Sequence, residues 1–438
     1  MTVSHDLLRL KLAEALATPT VALTPRDVRV PAVPGKALAV IGVRRSGKTS
    51  FMARRRQERI DAGRPSESQL LLTLEDERLA GMDIADLGWL LDEHARRFPD
   101  LAGSRSLYLD EAQAVPGWDG LVRRLIDSGQ QDILVSGSSA RLLSREIATS
   151  LRGRAMEVLV HPFSFREALR HAGAEPTGSY EHLGPVERTA LDERLRRYLI
   201  EGGFPEAQGL SAADRAALVR GYVDIVVLRD VIERHAVSNP VALRWIERQL
   251  LAQPGGPFTV NKQHDVLRSQ GIPVGKDTLH AYLAYLEDAF LVRTLAMDSA
   301  SERQRMTNPR KAYPVDPALS APFERTGHEA GGAALETVVL LELERRGYEA
   351  AYVHTRAGFE VDFIARRAGD PPLLLQVSLE TEGDATWDRE LRALVEAAPR
   401  YPDARAVILT LDAAPPSRPL PPAITWVPAA RWLLEEAG

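Results

Sequence analysis

Short apolar runs alternate with amphipathic stretches through the first third of the chain. Ala37 to Ile41, Leu70 to Leu74, Ser106 to Leu109, Ile133 to Ser136 and Met156 to Val160 are brief and nearly unbroken in their apolar character. That pattern predicts strands buried on both faces, with helices between them, and hence a parallel sheet covered on both sides. Before them, a helix is predicted up to about Leu16, followed by TPTVALTPRDVRVPAVPG, whose prolines predict an extended segment leading to the first strand.

Helical spacing returns between about Glu187 and Val237, broken by a Gly-Gly-Phe-Pro turn in EGGFPEA, Glu201 to Ala207. Residues 240–319 predict three helices and two strands. TVNKQHDVLRSQG is an amphipathic helix stopped by Gly271, and KDTLHAYLAYLEDAFL places Leu279, Tyr282, Leu283, Leu286 and Phe290 on one face. The strands Leu291 to Met297 and Ala312 to Val315 enclose the basic loop ASERQRMTNPRK. From about Gly331 the order is helix, three strands, helix and strand, closed by the apolar AITWVPAARWLLEEAG, which reads as core and interface.

The first predicted strand runs directly into GVRRSGKTS, which satisfies G-x-x-x-x-G-K-[ST] without a gap. In such a loop the backbone N–H groups of Gly42, Arg44, Arg45, Ser46, Gly47, Lys48, Thr49 and Ser50 turn around phosphate oxygens. Lys48 adds a point charge and Thr49 offers a hydroxyl to Mg²⁺. A phosphate-binding loop for ATP with Mg²⁺ is therefore expected. The third predicted strand ends SLYLDEAQ, placing Asp110 where a metal shell is held and Glu111 where attacking water is polarised. Ser136 and Ser138 follow the fourth strand, at the sheet edge where ligands bind. A sensing hydroxyl and a serine cap on the next helix are both compatible with them. Arg152 and Arg154, in SLRGR, read either as arginines delivered to a γ-phosphate or as exposed surface charge.

Composition narrows the chemistry. The chain has 438 residues, enough for several domains, with 45% apolar and 26% charged residues as in ordinary globular proteins. It contains no cysteine, which removes disulfides and thiolate chemistry, and its ten histidines show no metal-ligand spacing. No apolar run approaches the roughly 18 residues of a membrane span, so no membrane partner and a cytoplasmic location are expected. The net charge of −5 means that nucleic-acid contact has to rest on local patches.

Together GVRRSGKTS, LDEAQ, SGSSARLLSREIATSLRGR, HPFSFREAL, EGGFPEA, NPRKAYPVDPAL, LETVVLLELERRGYE, EVDF and LLLQVS resemble bacterial and archaeal AAA+ ATPases with a C-terminal domain of unknown function. In that family the C-terminal domain has a degenerate PD-(D/E)xK nuclease fold. The resemblance spans nearly the whole chain. It implies an α/β protein with an AAA+ core and leader over 1–180, a helical lid over 181–238, a winged helix over 239–325 and a nuclease-like domain over 326–438. It also implies Lys48 and Thr49 as phosphate and metal contacts, Asp110 and Glu111 as the Walker B pair, Ser136 or Ser138 as sensor, and Arg152 and Arg154 as arginine fingers.

In a winged helix, Lys262, Arg268, Lys276, Arg303, Arg305, Arg310 and Lys311 are candidate phosphate contacts, although such modules also serve in packing. Arg345, Arg346, Arg366 and Arg367 permit a second basic surface. In the nuclease-like domain Glu336 and Asp362, with Glu360 beside them, match the fold's acidic positions. Gln376-Val377-Ser378 stands where Glu-x-Lys is required, so one metal-binding charge and the lysine are missing and nuclease activity is not expected. The expected function is an oligomeric ATPase that remodels DNA, as a helicase or branch-migration motor. A nucleotide switch acting on a protein partner, and an ATP-gated nuclease, are the other readings.

Overall fold

Leu107, Tyr108 and Leu109 are fully buried, as strand residues must be when helices cover both faces of a sheet. The computed structural model of the protein describes residues 3–17, 23–129, 132–137, 151, 153–323, 330–380 and 384–435, so Ser138 and Arg152 lie outside the described residues. The chain divides into two compact units, Met1–His161 and Pro162–Gly438. Phe165 and Leu169 pack into the core of the second unit.

The first unit runs α1 (His5–Ala17), β1 (Ala37–Ile41), α2 (Lys48–Asp61), β2 (Gln69–Thr73), α3 (Ile84–Arg97), β3 (Ser106–Asp110), α4 (Trp118–Asp127), β4 (Asp132–Ser136) and β5 (Ala155–Leu159). Among the described residues its strands form one parallel sheet in the order β2-β3-β4-β1-β5. Val40 pairs with Ser136 and Leu109 with Val135. The carboxyl ends of β1, β3 and β4 therefore meet at one edge, with Asp110 level with Ser136. The leader lies extended against this unit, and Val28 and Val30 pack on a cluster containing Val40, Met52, Val158 and Val160.

The second unit begins with α5 (Phe165–His171), α6 (Pro185–Glu201) and α7 (Ala212–Ile225), which continues as a π-helical stretch over Val226–Glu233. Next come α8 (Pro240–Ala252), β6 (Pro257–Phe258), α9 (Val260–Ser269), α10 (Lys276–Asp288), β7 (Val292–Leu295), α11 (Glu302–Thr307) and β8 (Arg310–Pro314). The three strands are antiparallel in the order β6-β8-β7, and the predicted loop between the last two contains the short helix α11.

The unit closes with α12 (Ala330–Arg345), β9 (Glu349–His354), β10 (Glu360–Arg366), β11 (Leu373–Ser378), α13 (Asp384–Ala397), β12 (Arg405–Thr410), β13 (Ile424–Pro428) and α14 (Ala429–Leu434). Their sheet has the order β13-β12-β11-β10-β9, antiparallel from β9 to β11 and parallel from β11 to β13. The apolar end AITWVPAARWLLEEAG divides into a five-residue strand, β13, and the helix α14 that follows it. Leu335, Val338 and Val339 of α12 pack on one face with Phe363, Leu375 and Leu409, while Trp387 and Leu394 of α13 pack on the other with Ile364, Leu374 and Ile408. Among the described residues, no helix is long and apolar enough to cross a membrane.

The Gly-Gly turn after α6 is held by one buried acid. Asp316 Oδ2 accepts the Gly203 N–H at 2.7 Å and Oδ1 accepts the Ala318 N–H at 3.0 Å. A Cβ on Gly202 would lie 1.9 Å from Asp316 Oδ1, and one on Gly203 would lie 2.0 Å from the Phe163 carbonyl oxygen, so both positions require glycine. Burial raises the Asp316 pKa from 3.8 to about 7, against the two N–H bonds and Arg345. Its folded pKa exceeds the unfolded one, so its contribution is fully present below the unfolded value and is lost as pH rises toward 7. Asp316→Ala, which leaves two buried N–H groups unpaired, is expected to destabilise the second unit by about 2–4 kcal/mol in urea titrations. Asp316→Asn is expected to flatten the fall in stability between pH 4 and 7.

Candidate functional site

The loop between β1 and α2 closes on itself through backbone geometry that few residues allow. Gly42 has φ +148°, Arg45 φ 65° and Gly47, at the N-cap of α2, φ 94°. A Cβ on Gly42 would meet the Val160 carbonyl oxygen at 2.2 Å, which ties the first glycine to the end of β5. Lys48 is buried and its Nζ donates to the carbonyls of Gly42 and Val43 at 3.0 and 3.1 Å, spanning the loop it follows. Ser46 is fully buried, and its hydroxyl has no hydrogen-bond partner among the described residues. The start of α2 adds backbone N–H groups and a positive dipole end, which favour an anion. Arg44 is half-buried, whereas Arg45 and Ser50 are exposed.

The acids of β3 stand beside this loop. Asp110 is buried, with Oδ2 accepting the Thr49 hydroxyl at 2.8 Å and Oδ1 accepting the Ser136 hydroxyl. Ser136 in turn accepts the Glu111 N–H at 3.3 Å. Three sequence-distant positions thus form one polar chain, as expected from their places at the ends of α2, β3 and β4. Glu111 is held in the left-handed region, φ 56° and ψ 47°, an uncommon conformation for a residue with a side chain. Burial raises its pKa, partly offset by Gln113 and Lys48 and reinforced by Asp110. The arrangement fits a nucleotide with a hard cation. Thr49 and Asp110 offer oxygen ligands, and the loop offers N–H groups and one ammonium.

Arg154 is placed differently. It precedes β5, whose residue Ala155 pairs with Ala37 at the start of β1, so it lies at the sheet edge opposite the loop. There its Nε donates to Asp127 at 3.0 Å. Within its own chain it is therefore separate from the loop and its acids.

The leader supplies a residue that sequence inspection missed. Arg26 Nη1 donates to the Ser46 carbonyl at 3.1 Å and Nη2 to the His161 carbonyl at 2.5 Å. It clamps the loop to the segment beyond β5. Its only sequence signal is an arginine in a proline-rich extended stretch, which says nothing about where the stretch lies.

In the second unit the predicted cations separate into two groups. Lys262, Arg268, Lys276 and Arg303 are exposed. Arg305 donates to the Ser299 carbonyl at 2.6 Å and pairs with Glu302, and Arg310 donates to the Thr294 hydroxyl at 3.3 Å. Lys311 corrects the expectation of a surface contact. It is buried, with Nζ 2.8 Å from Glu360, 3.4 Å from Asp362 and 3.7 Å from Glu336. The predicted acidic residues do come together, but around this lysine. Gln376 accepts the Asp362 N–H at 3.3 Å and donates to Glu390, and Ser378 donates to the Glu380 carbonyl at 3.1 Å.

The arginine pairs of the last module are likewise engaged within the protein. Arg345 donates to the Pro162 carbonyl at 3.0 Å and Arg346 to that of Trp432 at 2.6 Å. Arg366 pairs with Asp298 at 3.0 Å, and Arg367 pairs with Asp370.

A phosphate loop at the carboxyl edge of a parallel sheet, with an acid and a hydroxyl beside it, defines a nucleotide-binding ATPase core. Residues 34–169 match the AAA domain family, and residues 192–327 match a domain of unknown function, DUF8612. An uncharacterized protein of Methanocaldococcus jannaschii is 30% identical over 376 residues, covering 85% of this chain and 81% of that one. An uncharacterized protein of Haemophilus influenzae is 31% identical over 344 residues, covering 78% and 82%. The chain belongs to the same family as the M. jannaschii protein, and it carries the AAA domain in its first unit. Among solved structures, the Walker-type ATPase of Pyrococcus abyssi is similar at 17% identity and a TM-score of 0.41, covering 73% of this chain and 95% of that one.

Removing the Arg26 clamp tests how far the leader positions the loop. Arg26→Ala is expected to weaken nucleotide affinity about tenfold, the scale of one or two lost charge-assisted hydrogen bonds. Titration with a fluorescent ADP analogue measures it, with Arg26→Lys recovering part of the loss.

Proposed function

We propose that this protein is an oligomeric AAA+ ATPase that uses Mg²⁺ and ATP to bind and remodel DNA. The nucleotide half rests on one observation, the hydrogen-bonded chain Thr49–Asp110–Ser136–Glu111 beside the phosphate loop. Lys48 and the loop N–H groups bind the phosphates, with Thr49 and Asp110 as the residues that would hold Mg²⁺. The ion offsets phosphate charge when bound. Glu111 accepts a proton from the attacking water, and burial raises its pKa, which makes the carboxylate a stronger base. Ser136 fixes the Glu111 backbone and senses the state of Asp110. Arg154 lies at the far edge of the sheet from its own loop, paired with Asp127, and as an arginine finger it would exchange that partner for the γ-phosphate of a neighbouring subunit.

The DNA half rests on the module over 239–325. Its helix, strand, two helices and hairpin, with strand order β6-β8-β7, support a winged helix. Lys262 and Arg268 on α9 and Lys276 at the start of α10 are exposed cations available to a phosphate backbone. The region over 181–238 is read as the lid of the ATPase and 326–438 as a nuclease-like module. Exposed Ile225 and Leu228, three residues apart, favour a second reading as a nucleotide switch that grips a protein partner.

ATP hydrolysis should rise several-fold with single-stranded, duplex or branched DNA, and the preferred DNA names the substrate. A rate that no DNA changes would leave the switch as the better account. Lys48→Ala is expected to abolish hydrolysis, and Glu111→Gln to lower turnover by about 100-fold or more while nucleotide still binds. Replacing Lys262, Arg268 and Lys276 together by alanine should lower the slope of log affinity against log salt by about 2–3.

A further inference from the structure

The acid cluster of the last module is built around an amine from another module. Lys311 and Tyr313 are alternate residues of β8 and face the same way. Lys311 Nζ meets Glu360, Asp362 and Glu336, while the Tyr313 hydroxyl donates to Glu336 Oε2 at 3.0 Å. The ammonium is within hydrogen-bond reach of Glu360 and Asp362, and pairs with Glu336 at 3.7 Å through charge alone. Asp362 Oδ2 accepts the Val377 N–H at 2.9 Å, so both of its oxygens are engaged. Asp362 also lies where the register of β10 against β9 shifts, between Val361 and Ile364, an irregularity that re-aims a side chain.

Other contacts hold the amine in place. Gly255, with φ +73°, comes so close that a Cβ there would lie 2.9 Å from Glu336 Oε2, and its N–H donates to the Ala312 carbonyl at 2.8 Å. The Tyr352 ring lies 5.9 Å from the Lys311 amine, and its hydroxyl donates to the Pro309 carbonyl at 2.6 Å. Burial opposes the ammonium charge, yet Asp362, Glu336 and Glu360 outweigh it and hold the amine charged, above its ordinary pKa. Among the described residues, no three His, Asp or Glu side chains are disposed to hold a metal ion.

We infer that Lys311 is the permanent counter-cation of Glu336, Glu360 and Asp362, an internal ammonium that occupies the place open to a divalent cation and fastens β8 to the nuclease-like module. The acids are thereby committed to a side chain of their own chain. Gln376 fits this state. A carboxylate there would add a further negative charge beside Asp362 and Glu390, whereas the amide links the Asp362 N–H to the Glu390 carboxylate. The inference does not depend on what the nucleotide drives.

The test uses the full-length protein without nucleotide. Mn²⁺ uptake is measured by electron paramagnetic resonance, and melting temperature in Mn²⁺ and in EDTA, for wild type, Lys311→Met, Asp362→Asn and the double variant. Wild type and Asp362→Asn are expected to take up Mn²⁺ equally, and wild type to melt alike in Mn²⁺ and EDTA. Lys311→Met should melt about 10 °C lower in EDTA, since it leaves buried carboxylates without their partner. It should also gain one Mn²⁺ that restores the melting temperature, and the double variant should lack that ion. A wild-type Mn²⁺ that Asp362→Asn loses would overturn the inference, as would a Lys311→Met protein that melts like wild type in EDTA. If Lys311→Met does not fold, the wild type against Asp362→Asn still decides: equal uptake supports the internal cation and lost uptake rejects it.

Discussion

The first unit depends on the placement of one carboxylate. Asp110 ends a buried strand, and both its oxygens accept hydrogen bonds from hydroxyls, those of Thr49 and Ser136. A buried carboxylate is costly unless it is hydrogen-bonded, so these two partners allow it to stand at the sheet edge. The geometry follows from strand order. With β4 between β3 and β1, the ends of three strands converge and the phosphate loop closes over the acid that serves it. Gly42 extends the same constraint to β5, where the Val160 carbonyl leaves no space for a side chain. Arg26 extends it to the leader, whose extended backbone carries a guanidinium to two carbonyls of this edge.

The second unit solves a related problem along one short stretch. Lys311, Tyr313 and Asp316 fall within six residues at the end of β8, and each is buried. The first pairs with three acids, the second donates to one of them, and the third caps the Gly202–Gly203 turn. A strand that belongs to the small sheet thereby supplies the polar contacts of the larger one and of the helices before it. Cores of this kind are specified by satisfied polar groups as well as by apolar packing, because any misregister of β8 would leave several charges buried without partners.

Charge also separates surface from interior among the basic residues. The overall balance of −5 conceals arginines that are tied to carbonyls and carboxylates, such as Arg345, Arg346 and Arg367. Read along the chain, such residues resemble a nucleic-acid surface. Guanidinium groups have five donors and a flat face, which makes them the common choice for internal pairing, and their sequence clustering carries little information about exposure. The lysines of α9 and α10 are different in kind, because they lie on helix faces whose opposite sides are buried by Gln263, Leu267, Leu279 and Leu283.

The sequence alone determined most of the elements and the nucleotide chemistry. Short apolar runs bounded by turn residues favour strands buried on both faces, and a phosphate loop needs its glycines, lysine and threonine at fixed local spacing. Both signals are local, so GVRRSGKTS, LDEAQ and the five strands of the first sheet were legible before any packing was known, while β6 and β13, short and continuous with other segments, were not. Only the tertiary structure decided which distant side chains meet. Arg26 reaches Ser46 and Lys311 reaches Glu360 across loops whose course no spacing encodes. No lysine stands near the acids in the sequence of the last sheet, and the fold brought one to them from a strand 51 residues before Asp362. A buried charge needs a partner in space and places no condition on where that partner stands in the chain.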